Sequence, residues 1–308
     1  MNSISTMPAS TDAAELESYL TSTAAEPLVA DLAATSDEDL TSLLRRADAR
    51  ELLIDTILGR FPELAVAEQV QQMTGVVGLE LTLDGDLVED RTLDFDGKSV
   101  QEIDDAQEWD VILSTSVLHF LRVVTGQQNA ALLAIAGDLT MEGNAELAID
   151  LAGVFSVTGE PGVAVDPTAL DPVEVAAAVK RSTPDNLRAV MSSSVRPMVL
   201  SEIFRRFPDF VDPAKAARLR STIVFRLTGQ EEPDRYVVTF ADGACDVVEG
   251  DSKTRDATII MDGADFLLLA TGNLNPMKAG IQGKIGIKGD RGAAIALSRA
   301  MDVPRSGR

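Results

Sequence analysis

Residues 53–156 align with residues 199–302 at a constant offset of 146 and without a gap, so the chain reads as one domain duplicated. Arg60, Phe61 and Pro62 recur as Arg206, Phe207 and Pro208, Asp96 and Gly97 as Asp242 and Gly243, Thr125 and Gly126 as Thr271 and Gly272, and Gly137 and Gly143 as Gly283 and Gly289. Of the 104 aligned pairs 21 are identical, where an average composition yields roughly one in fifteen by chance. A period this long exceeds any solenoid repeat, so each copy has to be a complete domain with its own core.

The bounds set by composition narrow the function classes. A length of 308 residues suits two domains of ordinary size. No apolar run approaches the ~18 residues of a membrane-spanning helix; the richest, Ala130 to Ala136, stops at Gly137 and Asp138, so no transmembrane segment is expected. Asp12, Glu15 and Glu17 stand where a signal peptide would carry Lys or Arg, and Cys245 is the single cysteine, which together point to a cytoplasmic protein. One Cys and one His leave almost no ligands for a protein-held zinc or haem site, so neither metal nor cofactor is expected. Residues 1–158 carry 29 acidic and 7 basic side chains, whereas residues 159–308 carry 20 of each. The acidic first half repels nucleic acid, which is excluded as a partner, and offers a docking surface for a protein partner.

Along the chain, residues 1–24 are rich in Ser, Thr and Ala and read as a disordered tail, followed by a first domain at 25–157, a linker at 158–172 marked by Gly159, Pro161, Gly162, Pro167 and Pro172, and a second domain at 173–308. Val77, Leu79, Leu81 and Leu83 alternate with smaller or polar residues, as do Ile223, Phe225 and Leu227, which predicts strands with one apolar face. A hairpin is expected at Asp242 and Gly243, a fourth strand at Asp256 to Met261, a helix from Gly263 to Ala270, a fifth strand from Gly283 to Lys288 and a last helix from Asp290 to Met301. This order is that of an α+β fold in two tandem domains, each a five-stranded sheet covered on one face by helices.

The run Phe266 to Gly272, then Asn275 and Pro276, then Gly283 to Asp290, resembles the sterol carrier protein 2 family, the non-specific lipid-transfer proteins. The flanking Arg205 to Asp209 and Met301 to Arg305 are similar to small stand-alone members found in actinobacteria. The resemblance implies a five-stranded sheet with helices on one face, an apolar tunnel between them for fatty acyl chains, acyl-CoA or sterol-like and terpenoid ligands, and no catalytic constellation. It places Ile259, Met261, Phe266, Leu269, Ile281, Ile285, Ile287, Leu297 and Met301 in the tunnel wall of the second domain. Their counterparts in the first are Leu113, Thr115, Phe120, Val123, Ile135, Leu139, Met141, Leu151 and Phe155. Lys284 and Lys288 become Asp138 and Glu142 in the first copy, so a basic cluster with Arg291 is expected on the second copy alone, suited to anionic lipid.

Sharper readings of single residues have weak support. His119 lies on a helix with no Ser or Cys nucleophile pattern beside it, and Cys245 reads as an apolar strand residue. Glu102, Asp104, Asp105, Glu108 and Asp110 lack the spacing and central glycine of a calcium loop, and Gly283 to Gly289 lacks that of a phosphate loop. Trp109, unique in the chain, aligns with Arg255. The expectation is therefore a non-enzymatic carrier of hydrophobic small molecules. The alternative is a scaffold with a filled tunnel that docks a partner on its acidic first domain.

Overall fold

The computed structural model describes residues 12–104, 106, 108–157, 160–164 and 170–303. The chain divides after residue 169 into two compact units, and each holds one five-stranded sheet. The first unit begins with α1 (Ala13–Ser22), α2 (Ala25–Ala34), α3 (Asp37–Leu44), α4 (Ala47–Gly59) and the short turns α5 (Phe61–Leu64) and α6 (Ala67–Val70). β1 (Thr74–Leu83), β2 (Asp86–Asp96) and β3 (Val100–Glu102) form an antiparallel meander, and β4 (Val111–Ser116) runs parallel to β1. α7 (Val117–Val124) and α8 (Ala130–Ala136) then lead to β5 (Leu139–Gly143), antiparallel to β4, and to α9 (Ala145–Ala152). A small hairpin of β6 (Ser156–Val157) and β7 (Glu160–Ala164) closes the unit, partly within the stretch expected as a linker.

The second unit repeats the plan with α10 (Pro172–Arg181), α11 (Pro184–Val190), α12 (Arg196–Arg206), a 3-10 turn at Phe207–Phe210 and α13 (Pro213–Ala216). β8 (Ser221–Thr228), β9 (Asp234–Ala241) and β10 (Ala244–Glu249) form its meander. β11 (Ala257–Asp262), parallel to β8, is followed by α14 (Gly263–Ala270), α15 (Pro276–Ile281), the edge strand β12 (Ile285–Gly289) and α16 (Arg291–Ala300). The strand orders, β3-β2-β1-β4-β5 and β10-β9-β8-β11-β12, are the same.

The helix layer forms because each sheet has one apolar face. Along β11 burial alternates strictly, with Ala257, Ile259 and Met261 buried between half-buried neighbours, as a two-residue side-chain period requires. On that face Phe204 of α12 stacks on Tyr236 with ring centroids 3.9 Å apart and on Phe266 at 5.0 Å, while Phe225 meets Phe204 edge-on at 5.5 Å. The first domain has a smaller aromatic set, Phe61 with Phe95 and Phe155.

The structure corrects the expected tail. Residues 1–11 lie outside the described residues, but α1 is an ordered part of the first domain. Asp12 caps it by accepting from the Glu15 amide at 2.9 Å, and Leu16 and Leu20 are fully buried. Arg60 donates to the Leu20 carbonyl at 2.8 Å, tying the helix end down. Leu16 and Leu20 lie one turn apart, so together they present a single buried face in a segment whose Ser and Thr content suggests none. Helices α2, α10 and α15 are likewise additions to the elements expected from the sequence.

A second correction concerns the repeat itself. Val77 pairs with Leu93, but Ile223 pairs with Val238, so β2 and β9 correspond at an offset of 145 while β1 and β8 correspond at 146. The slip arises from different hairpins: Asp84 and Gly85, with φ of 52° and 94°, make a two-residue turn with a bulge between Leu81 and Thr82, whereas residues 229–233 make a longer loop. With the slip included, the buried pair Arg50–Glu89 at 2.9 Å becomes the counterpart of Arg196–Asp234 at 2.7 Å. In both domains the arginine also donates to main-chain carbonyls, Leu44 for Arg50 and Met191, Leu227 and Thr228 for Arg196, locking the helices to one end of the sheet.

Candidate functional site

The residues assigned to the tunnel wall fall on the helix-covered face, towards the β11–β12 edge. Pairing of Ile259 with Ile287 and of Met261 with Ile285 sets these four side chains in two rungs of one face. Phe266 and Leu269 approach from α14, and Leu297 from α16 with Met301 just after it. Ile259, Met261, Phe266 and Leu297 are buried, whereas Leu269, Ile285, Ile287 and Met301 are half-buried. Ile281 departs from the expectation of a wall residue: it is 86% exposed, and Met277 on the same short helix is 78% exposed.

In the first domain Leu113 and Met141 pair across β4 and β5, as do Thr115 and Leu139. Leu113, Thr115, Phe120, Ile135, Leu151 and Phe155 are buried, with Val123, Leu139 and Met141 half-buried. Ile135, the counterpart of Ile281, is 7% exposed. The cause is visible in the helices: α8 buries Leu133, Ile135 and Ala136, whereas α15 buries only Ala279. Met277 and α15 are absent from the elements expected from the sequence, although Asn275 followed by Pro276 is a helix start, and Asn275 accepts from the Met277 and Lys278 amides at 3.0 and 3.1 Å.

The aromatic cluster around Phe204 fills the α12 side of the second domain's layer. What remains near α15 is aliphatic: Leu269, Ile285 and Ile287 half-covered, and Met277 and Ile281 open to water. Such a strip binds by burial alone. The five side chains of this strip are all apolar, so they supply no group to orient a reacting atom, and the second domain's cysteine lies at the other edge of the sheet, on β10. Burial, then Asp246, pushes the Cys245 thiol up to about 11, the opposite of a reactive thiolate. Burial, then Glu249 and Asp234, pushes the Tyr236 phenol up to about 12. His119 is half-buried with Nδ1 lacking a hydrogen-bond partner. Among the described residues no group of three or more His, Cys, Asp or Glu is placed to hold a metal ion.

The expected basic cluster is divided. Lys284 pairs with Asp265 of α14 at 2.6 Å on the helix side, whereas Lys288 projects on the opposite face of the sheet beside Thr258. Arg291 is exposed at the start of α16. No described helix is long and apolar enough to cross a membrane.

Comparison with known proteins gives the same two blocks as the repeat. The model of the SCP-2 sterol transfer family matches residues 54–156 and again 200–302. Hydroxysteroid dehydrogenase-like protein 2 of Xenopus tropicalis is 30% identical over 103 residues, covering 33% of this chain and 24% of that protein. Sterol carrier protein 2 of Homo sapiens is 39% identical over 69 residues, covering 22% of this chain and 13% of that protein. The chain thus spans a quarter or less of these relatives. Among solved structures, sterol carrier protein 2 like 2 of Aedes aegypti matches at 18% identity and a TM-score of 0.29, covering 34% of this chain and 99% of that one.

Proposed function

The chain belongs to the SCP-2 sterol transfer family, with two of its domains in tandem, and from that premise we propose that it carries lipid or another hydrophobic small molecule, with the second domain as the loading site. The observation that carries this reading is the exposure of Met277 and Ile281 beside the half-buried Leu269, Ile285 and Ile287, where the first domain buries Ile135 beside the equally half-buried Val123, Leu139 and Met141. An acyl chain laid along the second domain's strip would remove apolar surface from water on both partners. At ~25 cal/mol per Å², about 400 Å² buried contributes on the order of 10 kcal/mol, enough for roughly micromolar affinity after the costs of association. The ligand classes that fit are fatty acyl chains, acyl-CoA and sterol-like or terpenoid molecules, all bound without covalent chemistry. Carriage within the cytoplasm, without catalysis, belongs to the same proposal.

The test is titration of a fluorescent fatty acid into the full chain, with mass spectrometry of an organic extract of the purified protein to identify the cargo. Saturable binding that falls at least about tenfold in Ile285→Asp is expected, because a carboxylate in that wall is costly to desolvate. Failure to bind any member of a lipid panel would overturn the reading.

A further inference from the structure

The uncovered face of the second sheet carries a feature with no part in apolar binding. Arg226 of β8 and Arg235 of β9 stand directly opposite each other across the hairpin. The loop between β10 and β11 bends back over them and brings Arg255, while Lys288 reaches in from β12; the four cations line a concavity of about 150 Å³ together with Asp251, Val224, Thr258 and Ile260. Asp251 is the one carboxylate in this lining. It pairs with Arg255 and lies 3.8 Å from Arg235, and among the described residues no carboxylate pairs with Arg226 or Lys288. Arg226 is half-buried, and its Nε is buried with no hydrogen-bond partner.

Like charges placed directly opposite on neighbouring strands are destabilising, and a buried donor without an acceptor adds to the cost. An anion between the guanidinium groups removes the first cost. The first domain makes the contrast. At the corresponding positions Glu80 faces Asp90 across β1 and β2, Glu142 replaces Lys288, and Trp109 replaces Arg255. The two loops are anchored alike, since Asp110 accepts from the Val76 amide and Asp256 from the Thr222 amide, each at 2.7 Å. In the first domain Glu80 accepts from Ser114 and the Trp109 indole donates to Thr92 at 3.1 Å, so these two side chains have partners within the domain. The charge on that face has the opposite sign.

We propose that the open sheet face of the second domain is a binding site for a phosphate-bearing anion, held by Arg226, Arg235, Arg255 and Lys288. Three guanidinium forks match phosphate oxygens in pairs, and the ammonium supplies a fourth contact. An excess of three positive charges over the single Asp251 fits an anion carrying two or more charges better than a lone carboxylate. The concavity is about the size that admits one benzene-sized molecule, room for a phosphate or diphosphate but not for an acyl chain. The site lies on the opposite face from the apolar strip and does not depend on it.

Calorimetric titration of the full chain with inorganic diphosphate at low and at physiological salt tests this, alongside co-sedimentation with phosphatidylcholine vesicles that contain or lack a phosphoinositide. Saturable, salt-sensitive binding is expected, weakened about tenfold by Arg226→Met and several-fold by Lys288→Gln, and unchanged by Arg291→Gln, which lies outside the concavity. Diphosphate binding identifies a soluble ligand; binding to phosphoinositide vesicles alone, with the same dependence on Arg226, identifies a lipid headgroup. Absence of both, or binding that Arg226→Met and Lys288→Gln leave intact, overturns the proposal. Lys288 is exposed, so its variant keeps the test decisive if Arg226→Met fails to fold.

Discussion

Ile135 and Ile281 occupy the same position of the two domains, and one is 7% exposed and the other 86%. The strands beneath them pair in the same order and register, so the difference lies in the helix alone. α8 is Ala130–Ala136, a run of alanine, leucine and isoleucine whose apolar side chains cover β5; α15 is Pro276–Ile281, a residue shorter, with Lys278 and Gly280 in the same stretch. The short helix of a duplicated backbone can thus turn its isoleucine inward in one copy and outward in the other, while β5 and β12 keep the same half-buried pattern. The outer sheet faces differ as sharply, with Glu80 opposite Asp90 in one and Arg226 opposite Arg235 in the other. The two domains share the scaffold and differ on their outer faces.

The largest expected effects probe what the domains share. Arg196→Ala should destabilise the second domain by about 3–5 kcal/mol, since it leaves Asp234 and three carbonyls without their partner, and Arg50→Ala should cost the first domain about 2 kcal/mol, since Glu89 keeps Arg91 at 2.8 Å. Chemical denaturation followed domain by domain checks this, and a cost below about 1 kcal/mol in either would break the equivalence of the two pairs. Next, Ile135→Asp should cost about 3 kcal/mol or more, whereas Ile281→Asp should change stability by less than about 0.5 kcal/mol and yet reduce fatty acid uptake. Equal costs would show that α15 closes in solution as α8 does.

Alkaline pH separates the domains by onset only, since burial and then Asp31 also push the Tyr19 phenol of the first domain above its ordinary 10.0. The Cys245 thiol, at about 11, and the Tyr236 phenol, at about 12, both lie above their ordinary values of 9.0 and 10.0. A raised folded-state value means stability that is fully present below the ordinary value and lost as pH rises through the folded one. The second domain should therefore begin to weaken near pH 9 and continue towards pH 12. Cys245→Ala should move the onset up to the tyrosine, and an unmoved onset in thermal melts across this range would refute the assignment. The smallest effect is Gly280→Ala. Gly280 has ordinary helical geometry and open space around its Cα, so the change should stabilise α15 by about 0.5–1 kcal/mol and slow amide exchange over 276–281 towards that of 130–136.

Much of this molecule was legible before its structure. Gly137, Gly143, Gly283 and Gly289 all take positive φ, which explains their recurrence, and the alternation in Ile223, Phe225 and Leu227 is that of a sheet with one buried face. Less visible was Ile281, which the resemblance places in the wall and the short helix leaves 86% exposed. The opposed arginines were hidden as well, because the near-constant offset conceals a one-residue slip between hairpins, and a slip of one residue exchanges the faces of a strand. Counted at 146, Arg235 falls against Glu89, which is buried; counted at 145, it falls against Asp90 on the outer face.

The sequence by itself determined that there are two domains of one α+β plan, which elements alternate and which residues are apolar, because these follow from periodicity along a single chain. Only the tertiary structure decided which copy is open, which cations share a concavity and which carboxylates neutralise them. Those outcomes depend on distances between residues far apart in the chain, Arg226 from Lys288 and Arg50 from Glu89, and on which way a helix of six residues turns its isoleucine.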